Sequence, residues 1–236
     1  MPEARPLKFS CFVTGTDTEI GKTLIASTLV HALARAGLRA AGMKPVAAGA
    51  QWQDGAWHNE DVDSLVSASN AGLPLSLVSP YLFQDAIAPH IAAQREGVAM
   101  RIEHIQECYA AMAAQAEAIV VEGVGGFCVP LTPTLDTSDL ASRLALPVIL
   151  VVGLRLGCIS HAMLTARAIE ARGLTLAGWV VNTVDADMPF QAENIDTLRQ
   201  RLNAPLLGVV PRLAQPGVQE AAGFLDFSLM EGWPRG

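Results

Sequence analysis

The 236-residue sequence lacks clusters of basic residues and has few charged residues of either sign. Charged residues make up 17% of the chain, and the formal net charge is −7. Without a basic surface, nucleic acids and anionic membranes are poor partners, and any phosphate binding has to come from a local site. We therefore expect no nucleic-acid and no membrane partner.

Long apolar runs and paired cysteines are also missing. The longest apolar run, 146–153, contains a proline and is far shorter than the ~18–20 residues that cross a bilayer. Residues 1–6 hold two prolines and an acidic residue before an apolar run that is too short for a signal peptide. The four cysteines include no C-x-x-C pair, so reduced thiols are expected rather than disulfides or zinc ligands. These absences predict a cytoplasmic protein.

The chain is nevertheless rich in core-forming residues. Hydrophobic residues make up 51% of it, enough to bury a large core, and the simplest expectation is a single domain spanning residues 1–236. Apolar runs of strand length alternate with helical patterns, and continuous rather than alternating runs are typical of strands covered by helices on both faces. The sequence therefore predicts an α/β fold with a mostly parallel sheet and helices on both of its faces.

A phosphate-binding loop is indicated near the N-terminus by the residues GTDTEIGKT at 15–23. An apolar run precedes them and a helical pattern, 24–35, follows, which is the order of elements in a nucleotide phosphate cradle. Lys22 is expected to reach the β- and γ-phosphates, and the Thr23 hydroxyl is expected to bind Mg²⁺. The loop is one residue longer than the usual G-x-x-x-x-G-K-[ST] because its first glycine is Gly15. An ordinary strand-to-helix turn is the alternative, and it is disfavoured because every feature falls in the required order.

A second lysine is predicted to lie on the same edge of the sheet. A strand is expected over 39–46, and Lys44 falls near its carboxyl end. Parallel sheets bind ligands at the carboxyl ends of their strands, so Lys44 should emerge beside Lys22. Two lysines at one edge are reasonable where negative charge lies between them, whereas the alternative is a surface lysine at a strand end.

Two acids are candidate magnesium ligands. Glu122 ends a predicted buried strand, 118–122, and precedes a glycine-rich turn, as the acid of P-loop enzymes does. Its alternative is a strand-end carboxylate in water. Asp61 follows a predicted loop, 47–60, and Asn59 is a candidate N-cap for the helix that begins there. Asp61 is equally compatible with a first-turn acid that complements the helix dipole and with a magnesium ligand.

Four further residues carry weaker signals. Asn182 ends a predicted strand and suits either an adenine edge or the start of a turn. His90 is compatible with a ligand contact, although a capping or core role is favoured. Cys158 and His161 resemble a nucleophile–base pair, but no third orienting residue is evident and thiol catalysis is disfavoured.

Four stretches together are similar to the dethiobiotin synthetase family, namely FVTGTDTEIGKT at 12–23, GMKPV at 42–46, VEGVGG at 121–126 and GCISHA at 157–162. The match runs from about residue 9 to residue 213. The resemblance implies a P-loop NTPase-like fold and an ATP- and Mg²⁺-dependent cyclo-ligase of biotin synthesis. Such an enzyme converts 7,8-diaminononanoate and CO₂ to dethiobiotin through a carbamate and a carbamic–phosphoric anhydride. It implies a homodimer in which residues 157–160 face the partner's site.

The resemblance also implies roles for individual residues. Lys44 and Lys22 are the expected catalytic residues. The expected metal ligands are Thr23, Asp61 and Glu122. The expected substrate contacts are Lys44, Ala48, Cys158 and Ser160. The expected ATP contacts are Glu19, Ile20, Gly21, Lys22, Thr23, Leu24, Asp61, Glu122, Gly123, Val124, Gly125, Asn182, Thr183, Pro211, Arg212 and Leu213.

The sequence departs from the family pattern at three of these positions. Ala48 stands where a Ser or Thr is usual, which removes a hydroxyl expected near the carbamate. Ser160 replaces a common Asn, and Val124 replaces an Ala.

The alternative function is a partitioning-type nucleotide-switch ATPase, which shares the expected fold. It is disfavoured because such proteins carry a lysine early in the phosphate loop, where this chain has Thr16 and Asp17, and because the net charge is negative. A small-metabolite kinase is a third possibility that the loop alone leaves open.

Overall fold

The computed structural model describes residues 6–234, so the expectation about a signal peptide lies almost entirely outside it. The strands, in chain order, are β1 Phe9–Gly15, β2 Ala40–Met43, β3 Val46–Ala48, β4 Gln51–Gln53, β5 Ala56–His58, β6 Tyr81–Phe83, β7 Ala118–Glu122, β8 Val148–Leu154, β9 Leu176–Thr183 and β10 Leu206–Val210. The helices are α1 Lys22–Arg35, α2 Glu60–Ala68, α3 Leu75–Val78, α4 Pro89–Arg95, α5 Ile102–Ala113, α6 Thr137–Leu144, α7 Cys158–Ala171, α8 Gln191–Arg201 and α9 Val218–Ala222, and a 3₁₀ turn spans Phe227–Leu229.

A six-stranded sheet forms the centre of the molecule, with the order β10-β9-β8-β1-β7-β2. Every neighbouring pair in it is parallel. Side chains of successive residues alternate between its faces. Phe12 packs in a cluster with Met112 of α5, whereas Val13 packs in a second cluster with Ile25 and Leu29 of α1. Helices therefore cover both faces, and the predicted fold class is confirmed.

The predicted strand over 39–46 is wrong in its second half. β2 ends at Met43, and Pro45 has no N–H with which to continue the ladder. The Lys44 N–H instead donates to the Val78 carbonyl, 2.8 Å away. The chain then turns away, and β3 pairs with β6 in a separate two-stranded sheet. Lys44 consequently lies in a break between two strands, at the carboxyl edge of the central sheet.

The predicted loop over 47–60 is also wrong in part, because it contains the antiparallel hairpin β4–β5. Asp54 and Gly55 form its turn with φ values of 50° and 84°, the positive values that two-residue hairpin turns require. Trp52 and Trp57 face each other across the hairpin in an edge-to-face contact, with ring centroids 5.3 Å apart. Asp-Gly between two short segments that each centre on a tryptophan was therefore the local signal for this hairpin.

The start of α6 holds the glycine-rich segment that follows β7. The Thr137 hydroxyl donates to the Phe127 carbonyl over 2.6 Å and accepts from the Val129 N–H over 3.0 Å. Asp136 caps the helix by accepting from the backbone N–H groups of Ser138 and Asp139. The cap therefore fixes a helix end that positions the segment after Glu122.

Replacing Asp136 with alanine will lower the free energy of unfolding by about 1–2 kcal/mol, the usual contribution of an N-cap acid. Chemical denaturation of the purified protein measures this change. The control is Asp196→Ala, which removes an exposed ion pair with Arg199 and should change stability by about 0.5 kcal/mol or less. Equal losses in the two variants would contradict the role of the cap.

Within residues 6–234, no helix combines the length and the apolar composition needed to cross a membrane.

Candidate active site

A cavity of about 650 Å³ lies at the carboxyl edge of the central sheet, where β1, β2 and β7 end. Because β7 lies between β1 and β2 in the sheet, the acid at its end falls between the two lysines that follow the other strands. The residues that line the cavity are Thr18, Glu19, Gly21, Lys22, Thr23, Lys44, Ala48, Asp61, Ala86, Ile87, Ala88, Pro89, Glu122, Val124, Gly125 and Val129. The cavity thus brings together the phosphate loop, both lysines and both candidate acids.

Lys44 is buried between two carboxylates. Its ammonium nitrogen lies 2.6 Å from Glu122 Oε1 and 2.7 Å from Asp61 Oδ2. Burial alone would lower the pKa of Lys44, but the charges of Glu122 and Asp61 outweigh burial and raise that pKa above its ordinary value. Lys44 is therefore an ammonium group, and the alternative of a surface lysine at a strand end is wrong, since only 2% of the residue is exposed.

Glu122 is fully buried at the end of β7, so the alternative of a strand-end carboxylate in water is wrong. Burial raises its pKa, and the charge of Lys44 opposes that shift. Its Oε1 contacts Lys44, while its Oε2 is buried without a hydrogen-bond partner. An unsatisfied buried carboxylate oxygen is costly, so this oxygen is suited to contact a cation bound in the cavity.

Asp61 reaches the site from the first turn of α2. Asn59 caps that helix, since its Oδ1 accepts from the Val62 N–H, and its Nδ2 donates to the Ala48 carbonyl. The Asp61 Oδ1 lies 2.6 Å from the Thr23 hydroxyl oxygen. Burial would raise the pKa of Asp61, but the Lys44 ammonium and the Thr23 hydroxyl outweigh burial and lower it. Asp61 is therefore a first-turn acid that also lines the cavity, and its role as a magnesium ligand stays a prediction.

Lys22 is the second buried ammonium group. Its nitrogen donates to the backbone carbonyl of Asp17, 2.7 Å away within the phosphate loop. Burial, together with the nearby charge of Lys44, lowers the pKa of Lys22 from an ordinary value of 10.5 to about 8, against the opposing effect of Glu122. An anion that enters the cavity would stabilise the charged form of Lys22.

Thr23, Asp61 and Glu122 form a set of oxygen ligands that fits a magnesium ion. The Thr23 hydroxyl oxygen lies 2.6 Å from Asp61 Oδ1 and 2.8 Å from Glu122 Oε1, and Glu122 Oε2 is the unpartnered oxygen described above. Within residues 6–234, no group of three or more His, Cys, Asp or Glu residues could hold a metal by itself. Magnesium does not need such a group, because it commonly takes one or two carboxylates together with water and substrate phosphates.

A second cavity of about 270 Å³ adjoins the first, and Glu19 and Gly21 line both of them. It holds the remaining predicted ATP contacts that line a cavity, which are Leu24, Asn182, Thr183, Pro211, Arg212 and Leu213. Asn182 Nδ2 donates to the Ile20 carbonyl over 2.8 Å. This bond leaves the Asn182 Oδ1 and one N–H available to a ligand, and it ties the second cavity to the phosphate loop.

Several predicted site residues line neither of the two cavities. Ile20 is buried beneath the loop, and Gly123 contacts the site through its carbonyl, 3.4 Å from the Lys44 ammonium. Cys158 and Ser160, at the start of α7, line neither cavity. Burial raises the pKa of the Cys158 thiol, which disfavours the thiolate and argues against Cys158 as a nucleophile.

Sequence reasoning missed one wall of the larger cavity. Ala86, Ile87, Ala88 and Pro89 form it at the start of α4, and they give the cavity an apolar side. The sequence signal was Pro89, which occupies the first position of the helix, where proline is favoured. It indicated a helix start but not the direction in which that start faces. His90 does not line the cavity, and its Nδ1 is buried without a partner.

The parallel sheet, the phosphate loop after β1 and the acid at the end of β7 together define a P-loop nucleotide-binding protein. A family model described as an AAA domain matches residues 10–219. The structure is similar to the MinD cell division protein of Aquifex aeolicus, with a TM-score of 0.55 and 14% identity over 91% of this chain and 86% of MinD. It is also similar to a ParA family ATPase of Chlorobium tepidum TLS, with a TM-score of 0.51 and 14% identity over 91% of this chain and 89% of that one. At these identities the likeness shows the fold alone.

A sequence relative narrows the class. The ATP-dependent dethiobiotin synthetase BioD of Janthinobacterium sp. (strain Marseille) is 59% identical over 231 residues, which are 96% of this chain and 98% of the relative. The chain therefore belongs to the AAA domain family and, more narrowly, to the ATP-dependent dethiobiotin synthetases. The family resemblance seen in the sequence is confirmed.

Proposed function

We propose that this protein is a cyclo-ligase that makes dethiobiotin from 7,8-diaminononanoate, CO₂ and ATP, with release of ADP and phosphate. One observation carries the proposal beyond family membership. The Lys44 ammonium is buried beside the phosphate loop, 2.6 Å from a fully buried carboxylate, in a cavity large enough for a second substrate next to a triphosphate. Such a site is suited to holding two anions together.

The chemistry requires that arrangement. One amine of the diamine adds to CO₂ and, after losing a proton, becomes a carbamate. A carbamate oxygen then attacks the γ-phosphorus, ADP leaves, and a carbamic–phosphoric anhydride forms. The second amine attacks the carbonyl carbon of the anhydride, expels phosphate and closes the ureido ring. The phosphoryl transfer brings two anions into contact, so repulsion has to be offset before positioning can help.

Lys22 and Lys44 supply that compensation from the protein. Lys22 follows the phosphate loop and meets the triphosphate, and Lys44 faces the carbamate from the break after β2. Both are buried, so their charges act at a lower effective dielectric than in water and stabilise the charge that moves in the transition state. A histidine base is not required for this sequence of steps.

Thr23, Asp61 and Glu122 are the residues that would hold Mg²⁺ with the nucleotide. When bound, the ion would supply positive charge at the phosphates. The unpartnered Glu122 Oε2 and the contact of the Thr23 hydroxyl with both carboxylates support this assignment. The smaller cavity is proposed to take the adenine base, with Asn182 at its edge.

We propose that the protein is a homodimer and that the diamine site lies at the interface between its two subunits. Cys158 and Ser160 lie outside the cavity of their own chain, and the resemblance assigns the stretch 157–160 to the partner's site. Apolar residues are exposed next to it, since Leu156 is 89% and Leu164 is 59% exposed. A second copy would cover them. We also propose a single domain over residues 1–236, which is supported by the packing of three hydrophobic clusters against one sheet. A cytoplasmic location is proposed as well.

The decisive experiment is mass spectrometry of the products from the diamine, ¹³C-bicarbonate and Mg-ATP. We expect dethiobiotin that carries one ¹³C, together with phosphate release that depends on both the diamine and bicarbonate. Equal ATP turnover without the diamine would instead favour the nucleotide-switch ATPase. Phosphate retained on an organic product would favour a kinase.

Replacing Ala48 with serine will leave the enzyme active. Ala48 lines the cavity, and the change restores the hydroxyl that is usual in the family. One neutral hydrogen bond contributes about 0.5–1.5 kcal/mol, so the KM for the diamine should fall by about tenfold or less and kcat should stay similar. Steady-state kinetics measure both constants. Complete inactivation would contradict the proposed position of the diamine next to residue 48.

A further inference from the structure

Arg155, just beyond the end of β8, forms an ion pair with Asp17 of the phosphate loop. The two residues are 138 positions apart in the sequence. The Arg155 side chain is 45% exposed and that of Asp17 is 41% exposed. Exposed ion pairs of this kind add little to folding stability, so stability alone does not explain the pair.

Asp17 is the point at which Lys22 is held. Its carbonyl accepts from the Lys22 ammonium at 2.7 Å, while its carboxylate pairs with Arg155. The residue before it is tied to β8, the strand that Arg155 follows, because the Thr16 N–H donates to the Val151 carbonyl and the Thr16 hydroxyl accepts from the Gly153 N–H. Arg155 therefore completes a set of contacts that fix this half of the loop against the end of β8.

The charge of Asp17 is unfavourable for the ligand of this loop. A carboxylate on a phosphate loop repels a triphosphate unless a cation compensates it. Arg155 supplies that cation from outside the loop. Asp17 lines neither cavity, but the next residue, Thr18, lines the larger one. Without Arg155, the loop would therefore carry an uncompensated carboxylate one residue away from the cavity proposed to take the triphosphate.

We propose that Arg155 is a positioning residue that sets the affinity for ATP by neutralising and fixing Asp17, without contacting the reacting atoms. This inference rests on the proposed function only in taking ATP as the ligand. It separates two properties of the site: binding of the triphosphate depends on Arg155, and phosphoryl transfer at saturating ATP does not.

Calorimetric titration of ATP into the full chain tests the proposal. Arg155→Ala should raise the Kd of ATP about tenfold, as expected for one uncompensated charge near another at a protein surface. Arg155→Lys should bind ATP nearly as well as the unmodified protein, because the charge is kept. The double variant Asp17→Asn with Arg155→Ala should recover most of the lost affinity. At saturating ATP, kcat of Arg155→Ala should stay within about twofold of the unmodified enzyme, the sign of lost ground-state binding.

Two outcomes would overturn the proposal. An unchanged Kd in Arg155→Ala would show that the pair is a surface contact without a role in binding. A double variant as weak as Arg155→Ala would show that Arg155 contacts the phosphates directly rather than through Asp17. Arg199→Ala, which removes the exposed pair with Asp196, is the matched control and should leave the Kd unchanged. The titration needs no diamine, so failure of dethiobiotin formation would refute the proposed function while leaving this result readable.

Discussion

Replacing Lys44 with alanine will lower kcat by about 10²–10³-fold, the usual loss when one preorganised electrostatic group is removed from an active site. The Kd of ATP should change far less, because Lys22 and the N–H groups of the phosphate loop remain. Single-turnover phosphate release at saturating Mg-ATP and diamine measures the chemical step, and titration measures nucleotide binding. Loss of nucleotide binding with an unchanged chemical step would refute the role assigned to Lys44.

The same change will also destabilise the protein. Lys44→Ala leaves Glu122, which is 0% exposed, without the ammonium group 2.6 Å away. Breaking a buried pair by removing one partner commonly costs about 3–5 kcal/mol. Part of that cost will be avoided because Glu122 can take up a proton. Thermal unfolding has to be followed together with kinetics, so that a folded, inactive variant is distinguished from an unfolded one.

Lys8→Ala is the matched control for Lys44→Ala. Lys8 lies 2.9 Å from Glu117, a carboxylate whose side chain is only 4% exposed, at the opposite edge of the sheet. Removing it takes a lysine from a buried acid but changes nothing near the cavity. Lys8→Ala should lower the Tm and leave kcat unchanged. Equal losses of kcat in the two variants would assign the effect of Lys44→Ala to stability.

Local sequence signals predicted most of the elements that hold the site. The continuous apolar runs before Gly15 and up to Glu122 become β1 and β7, because strands covered on both faces need no polar positions. Asn59 caps α2 as predicted, since its side chain satisfies a free N–H of the first turn. Each of these signals acts within a few residues of its own position.

The contacts that give the site its chemistry join residues that are far apart in the sequence. Thr23 meets Asp61 across 38 positions and Glu122 across 99, and Arg155 meets Asp17 across 138. The Glu122 contact depends on the insertion of β7 between β1 and β2, and the Arg155 contact depends on the pairing of β8 with β1. No periodicity or cap specifies this strand order. Lys44 illustrates both sides of this limit. The direction of the strands predicted the edge of the sheet at which Lys44 lies. Its burial between two acids depends on which strand lies beside β2, and the sequence does not specify that.

Replacing Gly21 with alanine will weaken ATP binding by about 100-fold or more, because both cavities meet at this residue and small displacements of a binding group have effects of that size. Gly21 precedes α1 with a φ of +85°, a conformation that L side chains rarely adopt. An added Cβ would lie 2.3 Å from Asn182 Nδ2. Asn182 would have to move, which breaks its bond to the Ile20 carbonyl and disturbs the base cavity together with the phosphate loop.

Gly37→Ala separates backbone strain from this clash. Gly37 has nearly the same φ, +83°, and nothing lies within 4 Å of the added Cβ. Gly37→Ala should therefore cost about 1–2 kcal/mol of stability through strain, with an unchanged Kd for ATP. Gly21→Ala carries the same strain and in addition displaces Asn182, so its larger loss of affinity measures the coupling between the two cavities. Equal affinities in the two variants would mean that Asn182 moves without consequence and that the phosphate loop does not depend on it.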